Sequence, residues 1–261
     1  MGYVIAVHNQ KGGTGKSTTA TSLAVLLGLL QRDVVLIDSD PQGNATDAMG
    51  YKKRRQRGGK GYAEFLVNKR NGRTIVQRKV QRSGMVGSIG VLAASKENLL
   101  ALEAQLQHPM LSLNTNSVAD KLLELAEEKD YVIIDTAPGV THLSVAALKA
   151  ADLVIAPVVP TTWAFEGIQE VHNTLEAVRD SEIPVWPVMV MATNNKATAN
   201  TYEALQEKYG EDVFEQSIRR SGSVEGYEAK GKTLLQVRST STAAQDYIAF
   251  TQEFLSRMED E

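Results

Sequence analysis

"YVIAVHNQKGGTGKSTTATSLA" occupies residues 3 to 24. An apolar pentad, a glycine-rich turn and a run of helical character follow one another without a gap. The pentad, rich in β-branched residues, suits a strand covered on both faces. Gly12, Gly13, Thr14 and Gly15 let successive backbone N–H groups converge, and the positive end of the next helix faces the same point. A strand, a cradle of N–H groups and a helix N-terminus together make a phosphate-binding P-loop. In that frame Lys16 reaches the β and γ phosphates, the Ser17 hydroxyl ligates Mg²⁺ and Thr18 meets the α phosphate. Two departures stand out. Gln10 occupies a position where the G-x-x-x-x-G-K-[ST] pattern has glycine, and a second lysine, Lys11, precedes the glycines.

Working outward, further short apolar runs recur at 33–38 (DVVLID), 89–95 (IGVLAAS), 131–135 (YVIID), 153–159 (LVIAPVV) and 185–193 (VWPVMVMAT). Between them lie helical patterns at 17–31, 96–107, 116–128 and 165–180. This alternation predicts an α/β fold, a three-layer doubly wound and mostly parallel sheet, with its ligand beyond the carboxyl ends of the strands. No repeat or linker-like shift in composition divides the chain, so residues 1–261 read as one P-loop ATPase domain.

Composition narrows the function. The chain has 28 Lys+Arg against 31 Asp+Glu and no cysteine. Disulfides, thiol catalysis, iron–sulfur clusters and thiolate zinc sites are excluded. DNA binding would need a local basic face. The four histidines show no paired metal-ligand spacing and read as structural. The N-terminus lacks a basic leader and no 18-residue apolar run occurs, which predicts a soluble cytoplasmic protein. One stretch breaks the pattern: "YKKRRQRGGKGY" at 51–62 packs six basic residues and three glycines together and reads as a mobile exposed loop.

Two apolar runs end in aspartate. "VVLIDSDPQGNAT" places Asp38 and Asp40 at a strand end, two apart and so on one side. "YVIIDTAPG" gives Asp135 the form of a Walker B aspartate, which holds the Mg²⁺ hydration shell. Asp40 is the candidate for orienting the water that attacks the γ phosphate.

With these segments in view, the chain resembles the ParA family of deviant Walker A partition ATPases, in the ParA/MinD superfamily. The form KGGxGK[ST] is matched by Lys11, Gly12, Gly13, Gly15, Lys16 and Ser17, and "DSDPQGNAT", "DTAPG", "ADLVIAPVVPTTWAFEGI" and "GKTLLQVRS" extend the likeness over nearly the whole length. The resemblance implies an Mg²⁺-dependent ATPase that sandwiches ATP in a homodimer, where Lys11 crosses to the partner's nucleotide like a finger supplied in trans. It further implies a catalytic Asp40, a supporting Asp38 in the metal site, Mg²⁺ held through water by Asp135, and Asn44 in the switch loop. The dimer would bind DNA without sequence preference on the nucleoid until a ParB-like adaptor stimulates hydrolysis. For the DNA contacts the resemblance points to Arg219, Arg220, Lys230, Lys232 and Arg238, although "IRR" stands where the family has "IPR". The basic residues of 52–60 could touch DNA or an acidic partner instead. Asn194 or Asn195, after a late strand, could read the adenine edge. The main alternative is a MinD-like membrane-cycling ATPase. That class carries a basic amphipathic C-terminal helix, whereas "STAAQDYIAFTQEFLSRMEDE" ends acidic and predicts a core-packed helix with no membrane contact.

Overall fold

A computed structural model describes residues 2–53, 60–67, 74–108, 113–161, 164–222, 232–237 and 240–260. Among the described residues eight strands form one sheet in the order β3-β4-β2-β5-β1-β6-β7-β8. They are β1 (Tyr3–Val7), β2 (Val34–Asp38), β3 (Val76–Arg82), β4 (Met85–Leu92), β5 (Tyr131–Asp135), β6 (Leu153–Val158), β7 (Val185–Ala192) and β8 (Ile218–Arg219). All pair in parallel except β3 with β4. The central strands are continuous apolar runs because helices cover both faces.

Successive side chains alternate between two cores. Ile5, Val7, Leu36 and Ile133 face helix α1 (Lys16–Leu29) and a C-terminal helix, α10 (Thr242–Asp260). Val4, Val35, Ile37 and Val132 face α4 (Lys96–Leu106), α5 (Thr115–Glu127) and α6 (His142–Ala150). A third cluster joins Ala6 and Val154 to Ile168 of α7 (Ala164–Val178). Helix α1 is buried nearly all round, and its polar residues find partners: Thr19 Oγ1 lies 3.1 Å from the Tyr247 hydroxyl and Thr21 donates to the Ser17 carbonyl. The C-terminal helix lays Tyr247, Phe250 and Phe254 into that core, as its apolar spacing indicated.

The sequence pattern missed β3. "VQRKVQR" alternates, but with basic and amide side chains, and only Val80 is fully buried, because the strand lies at the sheet edge. Its turn was legible: Ser83 and Gly84 both have positive φ, 46° and 86°, the conformation of a two-residue hairpin. Helix α8 (Lys196–Tyr209) buries only Leu205 and so shows no apolar stripe.

Helix α1 crosses β4 at contact distance. A Cβ on Gly87 would lie 2.0 Å from the backbone carbonyl oxygen of Gly28. Gly87→Ala is therefore expected to lower the unfolding free energy by about 3 kcal/mol or more in denaturant titrations, since the main chain of α1 cannot yield locally.

Candidate nucleotide site

Register brings the functional residues together. Val7, Asp135 and Asp38 sit side by side at the ends of β1, β5 and β2. The loop leaves β1 at that rim, with Gly13 and Gly15 in the left-handed region at φ 73° and 78°. Such backbone is natural to glycine, and it turns the loop N–H groups toward one space. Gly15 also caps α1, which begins at Lys16. The resulting cavity of about 390 Å³ is lined by Gly13, Lys16, Ser17, Asp40, Asn44 and Met191, among others.

The two lysines of the loop have different surroundings. The buried Lys16 ammonium donates to the carbonyls of Asn9 (3.0 Å) and Lys11 (2.9 Å). Burial lowers its pKa, and the charges of Asp135 and Asp40 oppose that fall. Lys11 lies at the surface, and its Nζ meets Glu166 Oε2 of α7 at 3.3 Å. Neighbouring residues fasten the loop to the same helix: Gln10 Nε2 donates to the Glu170 carbonyl and to Thr174 Oγ1. Asn9 Oδ1 accepts from the Lys11 N–H. Gln10, which breaks the ordinary motif, thus serves as an anchor.

The three aspartates divide in role. Asp38 Oδ1 accepts from the Asp40 N–H and Oδ2 from the Thr46 N–H (2.7 Å), so it shapes the loop between them. Burial pushes its pKa up to about 7. Asp40 sits at the cavity wall, where Oδ1 accepts from the Gln42 N–H. Asp135 is fully buried, and its pKa is held well above the usual carboxylate range by burial first and by Asp38 second. Neither of its oxygens takes a hydrogen bond of standard geometry, although the Ser17 hydroxyl is near enough to favour the charged form. Two orphaned carboxylate oxygens beside a hydroxyl fit a hydrated Mg²⁺. Among the described residues no cluster of three or more His, Cys, Asp or Glu forms a ready cage. An ion held mainly by phosphates and water needs none.

His8 was not singled out from the sequence. It is fully buried, with Nδ1 2.8 Å from Thr136 Oγ1, whose proton goes to the Val7 carbonyl. The hydroxyl has one proton, so Nδ1 is the donor to it and Nε2 is bare. Burial and then Lys16 push the pKa down to about 4 from 6.5. The folded chain binds this proton more weakly than the unfolded one, so stability present above pH 6.5 is lost as pH falls toward 4. Asp38, raised to about 7, acts in the opposite sense and loses stability as pH rises through 7. The His8 part is isolated by comparing wild type with His8→Asn. Their difference in unfolding free energy is expected to shift by about 3 kcal/mol between pH 7 and pH 4.

The remaining candidates lie apart from this cavity. Asn194 is exposed, and Asn195 caps α8 by accepting from the Thr198 N–H. Arg219 holds the buried Asp246 through Nε (3.0 Å) and Nη2 (2.6 Å), which commits its guanidinium to the fold while half the side chain stays exposed. Arg220 and Lys232 are exposed; Lys230 and Arg238 lie outside the described residues. Of the basic segment at 52–60, Lys52 and Lys53 are helical and exposed and Lys60 is exposed, while 54–59 lie outside the described residues.

Sheet order, loop and aligned aspartates define the P-loop NTPase class. A family described as "AAA domain" matches residues 2–185. The chain is 30% identical to the chromosome partitioning protein ParA of Myxococcus xanthus, over 98% of this chain and 89% of that protein. It is 31% identical to the chromosome-partitioning ATPase Soj of Thermus thermophilus, over 98% and 96%. Among solved structures, a putative plasmid partition protein of Borrelia burgdorferi bound to AMPPNP superposes with a TM-score of 0.79 at 20% identity, covering 98% of this chain and 100% of that one. Cobyrinic acid a,c-diamide synthase of Mycobacterium smegmatis, with bound ADP and magnesium, gives 0.78 at 24% identity, covering 99% and 96%. At these identities the two structures bear on the fold. The chain belongs to the ParA family of the ParA/MinD superfamily.

Proposed function

We propose that this chain is a single-domain, Mg²⁺-dependent ATPase that partitions DNA or positions cargo: an ATP-bound homodimer binds DNA without sequence preference and lets go when a ParB-like adaptor stimulates hydrolysis. The observation that carries this reading is the division of the two loop lysines. Lys16 is folded inward onto its own loop, facing Asp40 and Asp135, whereas Lys11 stands at the surface on Glu166. A lysine turned away from its own cavity is suited to a neighbour's nucleotide.

The residues then act as follows. The loop N–H groups and Lys16 bind the phosphates, and Lys16 exchanges two carbonyls for them. Ser17 and Asp135 would hold Mg²⁺, which when bound would supply positive charge against the phosphate oxygens. Asp38 fixes the loop that carries Asp40, and Asp40 orients the attacking water. Lys11 of the second subunit offsets charge that develops on the transferring group.

Full-length likeness to partition proteins supports this reading over a MinD-like membrane cycle. The apolar side of the C-terminal helix is buried against α1, which leaves it no face for a membrane. Among the described residues no helix is long and apolar enough to cross one. A cytoplasmic, nucleoid-bound location accords with the proposed activity. The test is Asp40→Ala. Phosphate release is expected to fall by about 10²–10⁴-fold while ATP still binds and the dimer persists by light scattering. Turnover at the wild-type rate would remove Asp40 from catalysis.

A further inference from the structure

Charge is unevenly distributed along the chain. Residues 51–82 hold 12 of the 28 lysines and arginines and one of the 31 acidic residues, a net of +11 against −14 for the remainder. The one acid, Glu64, is occupied by the Gly61 N–H and by Asn98 Nδ2. The fold brings Lys52, Lys53, Arg78, Lys79 and Arg82 of this excess to one border of the sheet. Edge strand β3 carries Arg78, Lys79 and Arg82. The Tyr51 hydroxyl donates to the Gln77 carbonyl at 3.3 Å, and the Arg78 guanidinium lies 6.0 Å over the Tyr51 ring. These contacts fasten the chain to β3 just ahead of Lys52 and Lys53. Both lysines are exposed, as is Lys79. Helix α9 (Leu234–Val237) also packs against β3, so the exposed Lys232 joins the same border.

Edge strands often carry a lysine that blocks strand-on-strand aggregation. One or two charges suffice for that purpose. Here the exposed Lys52, Lys53, Lys79 and Lys232 stand along the border beside Arg78 and Arg82, which are partly buried on the inner side of β3, and an anionic surface complements that concentration of cations. A strand rises about 3.3 Å per residue, so Arg78 to Arg82 spans about 13 Å. Duplex DNA carries one negative charge per about 1.7 Å of axis, dense enough to meet every cation on that length.

We propose that this border of β3, with Lys52, Lys53 and Lys232, is a contact surface for the phosphate backbone of duplex DNA. It lies at the opposite end of the sheet from β8, where Arg219 is held by Asp246. The inference rests on the partition-ATPase reading and gives its DNA affinity a location. Contacts of this kind position a protein on DNA whatever the base sequence.

The test compares wild type with Lys52→Ser/Lys53→Ser/Lys79→Ser, three exposed positions outside the nucleotide site. Binding of a random-sequence 24-base-pair duplex is followed by fluorescence anisotropy with Mg–ATP between 50 and 200 mM salt. The triple variant is expected to lose about 10²-fold in affinity per protomer, with a shallower salt dependence by about 0.9 per lost contact. ATP-dependent dimerisation and ATPase activity without DNA are expected to stay at wild-type values. If wild type binds DNA and the triple variant binds it with equal affinity and salt slope, the assignment is overturned. The same holds if DNA binding persists while adaptor-stimulated hydrolysis disappears, which gives the border to an acidic protein. Absence of DNA binding by wild type itself overturns the partition reading beneath it.

Discussion

Lys16→Ala is expected to abolish nucleotide binding without unfolding the chain. In calorimetric titrations with Mg–ATP, affinity should fall by roughly 10²–10⁴-fold, since each hydrogen bond from a charged donor contributes about 1.5–3 kcal/mol. The ammonium is already desolvated and held by two carbonyls of its own loop, so phosphate oxygens replace neutral partners with charged ones. The substitution also removes a cation that favours ionised Asp135. Ser17 and Asp135 would then hold Mg²⁺ less well. A dissociation constant within threefold of wild type would show that the loop does not bind phosphate as argued.

Lys11→Ala should give the complementary phenotype. Its side chain is about one third exposed and paired with Glu166 at 3.3 Å, an arrangement worth about 0.2–1 kcal/mol near a surface. Nucleotide binding to the monomer and thermal stability are therefore expected to change little. Turnover is expected to fall by about 10³–10⁵-fold, the range for a cationic finger supplied in trans. A steady-state rate within tenfold of wild type would contradict the assignment. The proposed role asks Lys11 to exchange its Glu166 contact for a phosphate of the partner's nucleotide.

The parts of the site carried by contiguous residues were legible in the sequence. Strand β1, the glycines, Lys16 and the strand-end aspartates lie within short segments whose order fixes their geometry, and the central strands announced themselves because both faces are buried. Partners far apart in sequence were not legible. Glu166 meets Lys11 across 155 positions, and Thr136 meets His8 across 128. No local periodicity encodes such pairs. Edge strand β3 escaped for another reason: its inward side alternates Val76 and Val80 with Arg78 and Arg82, so no run of apolar residues shows, although Ser83-Gly84 marked the turn. Arg219, expected as a DNA contact, shows the same limit from the other side: its guanidinium is tied to a buried carboxylate on the final helix that only the tertiary structure brings near.

That the loop serves two active sites at once is tested most directly by mixing two inactive proteins, Lys11→Ala and Asp40→Ala. In a symmetric dimer with Lys11 acting in trans, the mixed dimer has one complete site: the Lys11→Ala subunit keeps its own Lys16 and Asp40 and receives Lys11 from its partner. Equal mixing makes half the dimers mixed, so activity should recover to about a quarter of the wild-type rate. If Lys11 acts within its own subunit, no site in the mixture is complete and activity will stay at the level of the separate variants.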